Sequence, residues 1–190
     1  MARFDKRGNP VSYGAQQAID ALDHVFDLLH AYQADPLAEV DKIIVDHPDF
    51  AMAHAFRAGA LATATDKAFE PELIKSVEAA EALAPQANDR ERTHISAVRA
   101  WLDGDWERAT ELWGRASIAY PRDLLALQYA HVGDFFLGYS HMLRDRVAVC
   151  CRTGIATYRA MASLKGCMPS ALKRLATTNR PRPAVERLSP

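Results

Sequence analysis

The chain has 190 residues, a formal net charge of -1 and a hydrophobic content of 49%. This length allows one domain, or a short array of repeats, with a core large enough to fold unaided. The balanced charge excludes a strongly basic nucleic-acid or membrane surface, and residues 1–14 lack the apolar stretch of a signal peptide. We therefore expect a cytoplasmic protein with neither a nucleic-acid partner nor a membrane partner.

The composition indicates the fold class and also divides the chain. Ala is abundant while Val and Ile are sparse, which favours close-packed helices over sheets. Residues 1–148 contain 15 Lys and Arg against 23 Asp and Glu, whereas residues 149–190 contain 8 basic residues and one acid. All three cysteines (Cys150, Cys151 and Cys167) lie in that second stretch. We therefore expect an all-α array at 12–148, an N-terminal extension at 1–11 and a separate tail at 149–190.

Apolar residues recur at helical spacing in seven successive segments. They predict helices at about 12–33, 36–47, 49–64, 71–84, 88–102, 105–120 and 123–137. Asp35 before Pro36 is a start signal, and Asn88 with Glu91 three residues later has the form of a capping box. The loops between these segments are short, so we expect successive helices to pack as antiparallel neighbours.

Three prolines that follow helix ends are evenly spaced along the chain. Pro48, Pro85 and Pro121 are separated by 37 and 36 residues, with two predicted helices in each interval. A period in the middle thirties is typical of a helical solenoid, in which one helix pair buries its open face against the next. The prediction is an α-solenoid of antiparallel helix pairs. An irregular helical bundle with fortuitous proline spacing is the alternative.

Residues 104–121 resemble the second half of a tetratricopeptide repeat. The matching positions are a Gly-Asp turn, an aromatic residue, two small residues flanking a large aromatic one, and a terminating proline: Gly104, Asp105, Trp106, Ala109, Trp113, Ala116 and Pro121. We expect these residues to have structural roles. The preceding helix departs from the pattern, because Ser96, Ala97 and Ala100 stand where Leu, Gly and Tyr are commoner.

Three longer strings, at 56–73, 79–109 and 120–148, are similar to the bacterial relatives of the tetratricopeptide repeat protein 38 family. The resemblance covers about residues 12–148. Members of that family are considerably longer helical-repeat proteins without an established biochemical activity. The resemblance therefore implies a tetratricopeptide-like fold, with this chain matching its N-terminal part, and implies little about function.

The resemblance stops at Ala148. The family continues with a pattern such as RVLPHWD, and one base missing after the Ala148 codon converts DNA for that pattern into the AVCCRTG found at 148–154. We interpret 149–190 as an out-of-frame, poorly ordered tail, and genomic DNA tests this against a genuine basic tail. Loss of later repeats predicts that Phe135, Phe136 and Val147 are partly unburied.

The sequence contains no pattern typical of a catalytic, metal or cofactor site. No Cys-x-x-Cys pair, His-Glu-x-x-His motif, phosphate-binding loop or nucleophile elbow is present. His54, His94 and His131 fall in the first helices of successive repeats, where we expect partly buried, hydrogen-bonded side chains. We predict that the chain is not an enzyme and has no catalytic, metal-ligating or cofactor-binding residue.

The favoured function is a helical-repeat scaffold that binds a protein or peptide segment against its inner helices. Repeat position predicts a groove lined by five side chains: His94, Val98, Trp101, Gln128 and Phe135. One alternative is an enzyme or small-molecule-binding protein whose site lies in a missing C-terminal half. Another is a truncated product without independent function.

Overall fold

The computed structural model describes residues 3–31 and 35–153, with side chains up to Val149. This part of the chain contains eight α-helices: α1 (Gln16–Ala31), α2 (Pro36–Asp46), α3 (Ala51–Ala64), α4 (Glu70–Leu83), α5 (Asp89–Leu102), α6 (Trp106–Ala119), α7 (Leu124–Phe136) and α8 (Ser140–Thr153). Two short strands, β1 (Arg3–Phe4) and β2 (Pro10–Val11), pair as an antiparallel hairpin. The all-helical class is confirmed, and α1–α7 fall within the seven predicted segments apart from small shifts at their ends.

The helix starts follow the predicted capping chemistry. The Asp35 side chain accepts hydrogen bonds from the backbone N–H groups of Leu37 and Ala38 at the start of α2. At the start of α5, Asn88 Oδ1 accepts from the Glu91 N–H at 3.0 Å, and Glu91 Oε2 accepts from the Asn88 N–H at 3.1 Å. This reciprocal pair is a capping box that satisfies two backbone donors, so the prediction from the sequence is confirmed.

Each helix packs against the next one in the chain, and α3 also contacts α5 and α7. The Tyr129 hydroxyl of α7 donates to the Phe56 carbonyl of α3 at 3.0 Å. Gly59 permits this approach, because a Cβ there would lie 2.3 Å from the Tyr129 ring. In a regular solenoid each repeat contacts only its neighbours, whereas α3 and α7 are separated by the α5–α6 pair. The contact between α3 and α7 departs from that rule, and the regular superhelical geometry of an α-solenoid stays a prediction.

One main apolar cluster extends from α1 to α7. Phe26 of α1 lies 5.1 Å from Phe56 of α3, measured between ring centroids, and Trp113 of α6 lies 5.1 Å from Tyr129 of α7. Trp113 is fully buried. Burial of apolar surface is the dominant favourable term in folding, so this cluster holds the helices from α1 to α7 together.

The β1–β2 hairpin packs against α1. Its turn has Gly8 at φ +79°, a conformation that glycine adopts without steric cost. The Asp5 carboxylate accepts from the N–H groups of Arg7 and Asn9, which closes the turn. The Asp23 carboxylate of α1 accepts from the Lys6 N–H at 2.7 Å and from the Arg7 guanidinium at 2.9 Å. Residues 3–11 of the predicted N-terminal extension thus form a hairpin that contacts α1.

The C-terminal part of the structure differs from the sequence prediction in the length of its last helix and in the burial of Val147. Helix α8 runs to Thr153, past the predicted boundary at Ala148. Residues 154–190 and the side chains of Cys150 and Cys151 lie outside the described residues. The interpretation of 149–190 as an out-of-frame tail falls mostly on those residues and stays a prediction. Val147 is fully buried, so the prediction that it is partly unburied is wrong. The reason is that α8 packs against both α6 and α7.

Candidate functional site

A buried ionic cluster, formed by Asp5, Arg90, His94 and Asp123, joins the hairpin to α5 and to the start of α7. Arg90 is 1% exposed, and its Nε donates to Asp123 Oδ2 at 2.6 Å. His94 Nε2 lies 2.9 Å from the same oxygen, and Asp5 Oδ2 lies 3.8 Å from Arg90 Nη2. Asp123 Oδ1 accepts from the Ala126 N–H, which caps α7.

Opposite charges keep Asp123 and Arg90 ionised despite their burial. Burial alone raises the pKa of Asp123, but the attraction of Arg90 and the hydrogen bonds from Arg90 and His94 hold that pKa well below its usual value. Burial alone lowers the pKa of Arg90, but the charges of Asp123, Asp5 and Glu91 raise it. The cluster is closed to solvent, so its role in this structure is to hold elements together rather than to meet a substrate.

The predicted groove is closed over most of its length. His94 and Val98 are fully buried and Trp101 is nearly so, which corrects the prediction that these three residues line an open surface. The cause is long-range packing, because α3 and α6 cover α5 while Asp123 reaches His94 from the start of α7. Gln128 is half-buried, and Phe135 is the member of the predicted groove that is well exposed.

The residues of the tetratricopeptide-like motif have structural positions. Ala109, Trp113 and Ala116 are buried along one face of α6, and Pro121 directly follows that helix and Tyr120. Gly104 has φ +84° in the turn, and the Asp105 side chain caps α6 by accepting from the Arg108 N–H at 2.9 Å. Trp106 stacks on Trp101 at a centroid distance of 4.8 Å.

An aromatic surface, formed by Trp106, Phe135 and Phe136, lies where the turn before α6 meets the end of α7. These side chains are 36%, 67% and 38% exposed. The ring of Phe136 lies 6.0 Å from that of Trp106 and 5.8 Å from that of Phe135, and buried Trp101 backs Trp106 and Phe136. A contiguous exposed apolar patch on a folded protein marks an interaction surface more often than isolated apolar residues do.

The aromatic surface has an acidic rim. Asp103, Asp105 and Glu107 are exposed next to Trp106 in the turn and first residues of α6. Glu107 reaches the α7–α8 turn, where its Oε1 accepts from the Tyr139 hydroxyl at 2.6 Å. Glu107 therefore links the start of α6 to the turn that follows Phe136, and the surface presents apolar rings beside negative charge.

Two histidines outside the ionic cluster make stability depend on pH. Burial lowers the pKa of His30 and of His131 from the usual 6.5. A histidine whose pKa is lowered by folding stabilises the folded state fully above the unfolded-state pKa of 6.5, and this stabilisation is lost as pH falls below 6.5.

We predict that urea denaturation shows lower stability at pH 5.5 than at pH 7.5. The double variant His30→Gln with His131→Gln should reduce this difference. The exposed His24→Gln control should retain it; an undiminished difference in the double variant would contradict the assignment.

No helix within residues 3–31 and 35–153 combines the length and apolar character that crossing a membrane requires. In the same residues, no three His, Cys, Asp or Glu side chains are grouped so that they would hold a metal ion. No protein-family model matches the sequence, and no solved structure matches the chain.

Proposed function

We propose that this chain is a protein-binding module of the tetratricopeptide-like helical-repeat type, and that the aromatic surface is its contact face. The observation that carries the proposal is the contiguous exposure of Trp106, Phe135 and Phe136. The sequence resemblance to the tetratricopeptide repeat protein 38 family supports the same class, because helical repeats commonly present surfaces for protein or peptide partners.

The packing behind the aromatic surface suits it to binding. Trp101 is buried and stacks on Trp106, so the indole of Trp106 is held in place before a partner arrives. A preorganised ring costs less conformational entropy on binding than a mobile side chain does. Aromatic residues, Trp and Tyr above all, are also enriched among the few residues that contribute most of the binding free energy in protein interfaces.

The acidic rim selects the chemistry of the partner. Asp103, Asp105 and Glu107 place negative charge beside the rings. A partner segment with an apolar side chain next to Lys or Arg matches this surface, because the apolar group covers the rings while the cation approaches the carboxylates. The cation also gains from the faces of aromatic rings when it lies within about 6 Å of them.

Selection from a displayed random-peptide library tests the proposal. We expect selected peptides to combine an apolar residue with an adjacent Lys or Arg, and to bind the Phe135→Ser variant about tenfold more weakly, or worse, than the unchanged chain. Val45→Ser is the matched control, because Val45 is 79% exposed on α2, outside the aromatic surface. That variant should bind with unchanged affinity.

Two results would contradict the proposal. One is a set of selected peptides that binds Phe135→Ser and the unchanged chain equally well. The other is a set without basic residues whose affinity does not depend on ionic strength, since attraction to exposed carboxylates weakens as salt screens them. Circular dichroism of both variants serves as the folding control, because an exposed side chain contributes little to stability.

A further inference from the structure

An extended segment of the hairpin, residues 9–12, lies across the first turn of α5 and is held through its backbone. The Pro10 carbonyl accepts from Arg90 Nη1 and from Asn88 Nδ2, both at 3.1 Å. The Ser12 N–H donates to Glu91 Oε1 at 3.0 Å. Side chains of α5 and its cap thus bind main-chain groups of a segment about 80 residues away in sequence. This is how a folded domain holds an extended peptide, with main-chain hydrogen bonds that do not depend on the peptide's sequence.

Three side chains of the hairpin contact α5, the loop before α7 and the main apolar cluster, while Lys6 and Arg7 pair with Asp23 and Asp27 of α1. The Asp5 carboxylate faces the buried Arg90 guanidinium at 3.8 Å. Asn9 Nδ2 donates to the Arg122 carbonyl at 3.1 Å, in the loop before α7. Val11 is the buried apolar anchor of the segment and belongs to the main apolar cluster. The bound segment therefore offers one carboxylate, one amide and one small apolar side chain.

The hairpin does not fill the space beneath it. A cavity of about 10 Å³ remains there, lined among others by Asp5, Val11, Phe26, Met52 and Arg90. A cavity of this volume has room for about one water molecule. Phe4, the large apolar residue of β1, leaves about half of its surface exposed. The hairpin is thus held mainly by polar contacts and by Val11, a combination that a separate peptide can reproduce.

We propose that residues 5–12 occupy a peptide-binding site as an intramolecular ligand, and that the same site takes an extended segment of a partner protein. The partner segment would carry a carboxylate, an Asn four residues later, and a small apolar residue two residues after the Asn. The site is formed by Asn88, Arg90, Glu91 and the Arg122 carbonyl. It shares peptide binding with the proposed function but does not rest on the aromatic surface, which lies at the other end of α5, about 20 Å away along the helix.

The tethered segment competes with any partner. A covalently linked ligand has an effective concentration in the millimolar range, so a peptide added to the unchanged chain meets an occupied site. Weakening the tethered copy while leaving the receiving side chains intact should open the site. Asp5→Ala with Asn9→Ala does this without altering α5, because it removes the side-chain contacts to Arg90 and to the Arg122 carbonyl and also the hydrogen bonds by which Asp5 closes the hairpin turn.

The test measures binding of a fluorescent synthetic peptide, FDKRGNPVSY (residues 4–13), to the full chain. We expect no saturable binding to the unchanged chain and saturable binding to the D5A/N9A chain. A peptide that carries the same two alanines should bind the D5A/N9A chain at least about tenfold more weakly. Adding Phe135→Ser to the D5A/N9A chain should leave peptide binding intact, which separates this site from the aromatic surface.

The other possible outcomes of the peptide-binding test each support or overturn the inference. If the D5A/N9A chain keeps its helical circular dichroism and binds neither peptide, or both equally, the inference is overturned. Equal binding to the unchanged chain would show that the hairpin does not occupy the peptide's site. If the D5A/N9A chain unfolds, recovery of helicity with the native peptide, and not with the alanine peptide, supports the inference; no recovery overturns it. None of these results affects the proposed function, which concerns peptides whose binding to the aromatic surface requires Phe135.

Discussion

Replacing Asp123 by Asn lowers the free energy of unfolding by about 3–5 kcal/mol, because it takes from the buried Arg90 guanidinium the carboxylate to which it is hydrogen-bonded and leaves it only the more distant Asp5, at 3.8 Å. Arg90 is 1% exposed and donates to Asp123 at 2.6 Å. Asn is as good a helix cap as Asp, so the substitution isolates the lost charge from the cap of α7. Urea denaturation followed by circular dichroism at pH 7 measures the effect.

A surface ion pair provides the control for Asp123→Asn. Glu111 pairs with Arg115 on the exposed face of α6, and exposed pairs contribute at most about 1 kcal/mol. Glu111→Gln should therefore change stability by less than that. Equal effects of the two substitutions would show that the ionic cluster does not hold the hairpin, α5 and α7 together.

The dependence of stability on pH in the acid range gives a second test of the role of Asp123. The folded-state pKa of Asp123 lies below its ordinary value of 3.8. Its contribution is therefore complete above 3.8 and is lost as pH falls from 3.8 towards the folded-state value. Between pH 5 and pH 2 the unchanged chain should lose more stability than the Asp123→Asn variant does.

Trp113→Ala should be as damaging, with an expected loss of about 3–5 kcal/mol for removing a buried aromatic side chain. Trp113 is fully buried on α6 and contacts the rings of Trp101 and Tyr129. Its removal leaves a cavity where α5, α6 and α7 meet, because three packed helices cannot all collapse into the space.

Ile118 on the same helix is the matched control, since its side chain is largely exposed. Ile118→Ala should alter the free energy of unfolding by no more than about 0.5 kcal/mol. Similar losses in Trp113→Ala and Ile118→Ala would contradict the assignment of Trp113 to the core. A loss in Trp113→Ala that does not reach about 1 kcal/mol would do the same.

The helices were readable from the sequence because their signals are local. Apolar spacing indicates a buried helical face within a few turns, and the pair Asn88 and Glu91 marks the start of α5 within three residues. The α1–α7 boundaries followed from such signals. Helix α8 was not predicted, because its last five residues belong to the stretch whose composition indicated a tail.

The hairpin and the closed groove depend on contacts between distant residues, which local patterns do not report. Two-residue strands are too short to show an alternating pattern, and Asn9 is held by the Arg122 carbonyl, 113 residues away. The turn signal in DKRGNP was available, since Gly and Asn-Pro favour turns, but nothing in it indicates what the turn packs against.

The candidate binding face was only partly predictable for a related reason. The position of Phe135 in the repeat predicted that it lines a binding groove, and its side chain is 67% exposed. Repeat position also placed His94 and Trp101 there, although α5 is covered by its neighbours. The Trp106–Phe136 contact joins the start of α6 to the end of α7. Local sequence patterns do not show that two residues so far apart in the chain are in contact.

The most direct test of the aromatic surface as the binding face uses the three tryptophans as internal probes. Trp106 is partly exposed on that surface, whereas Trp113 is buried in the core. In a ¹⁵N NMR titration with a library-selected peptide, the indole N–H resonance of Trp106 should shift in a saturable manner while that of Trp113 stays in place. Saturable binding with an unmoved Trp106 resonance would contradict the account, because the peptide would then occupy another surface.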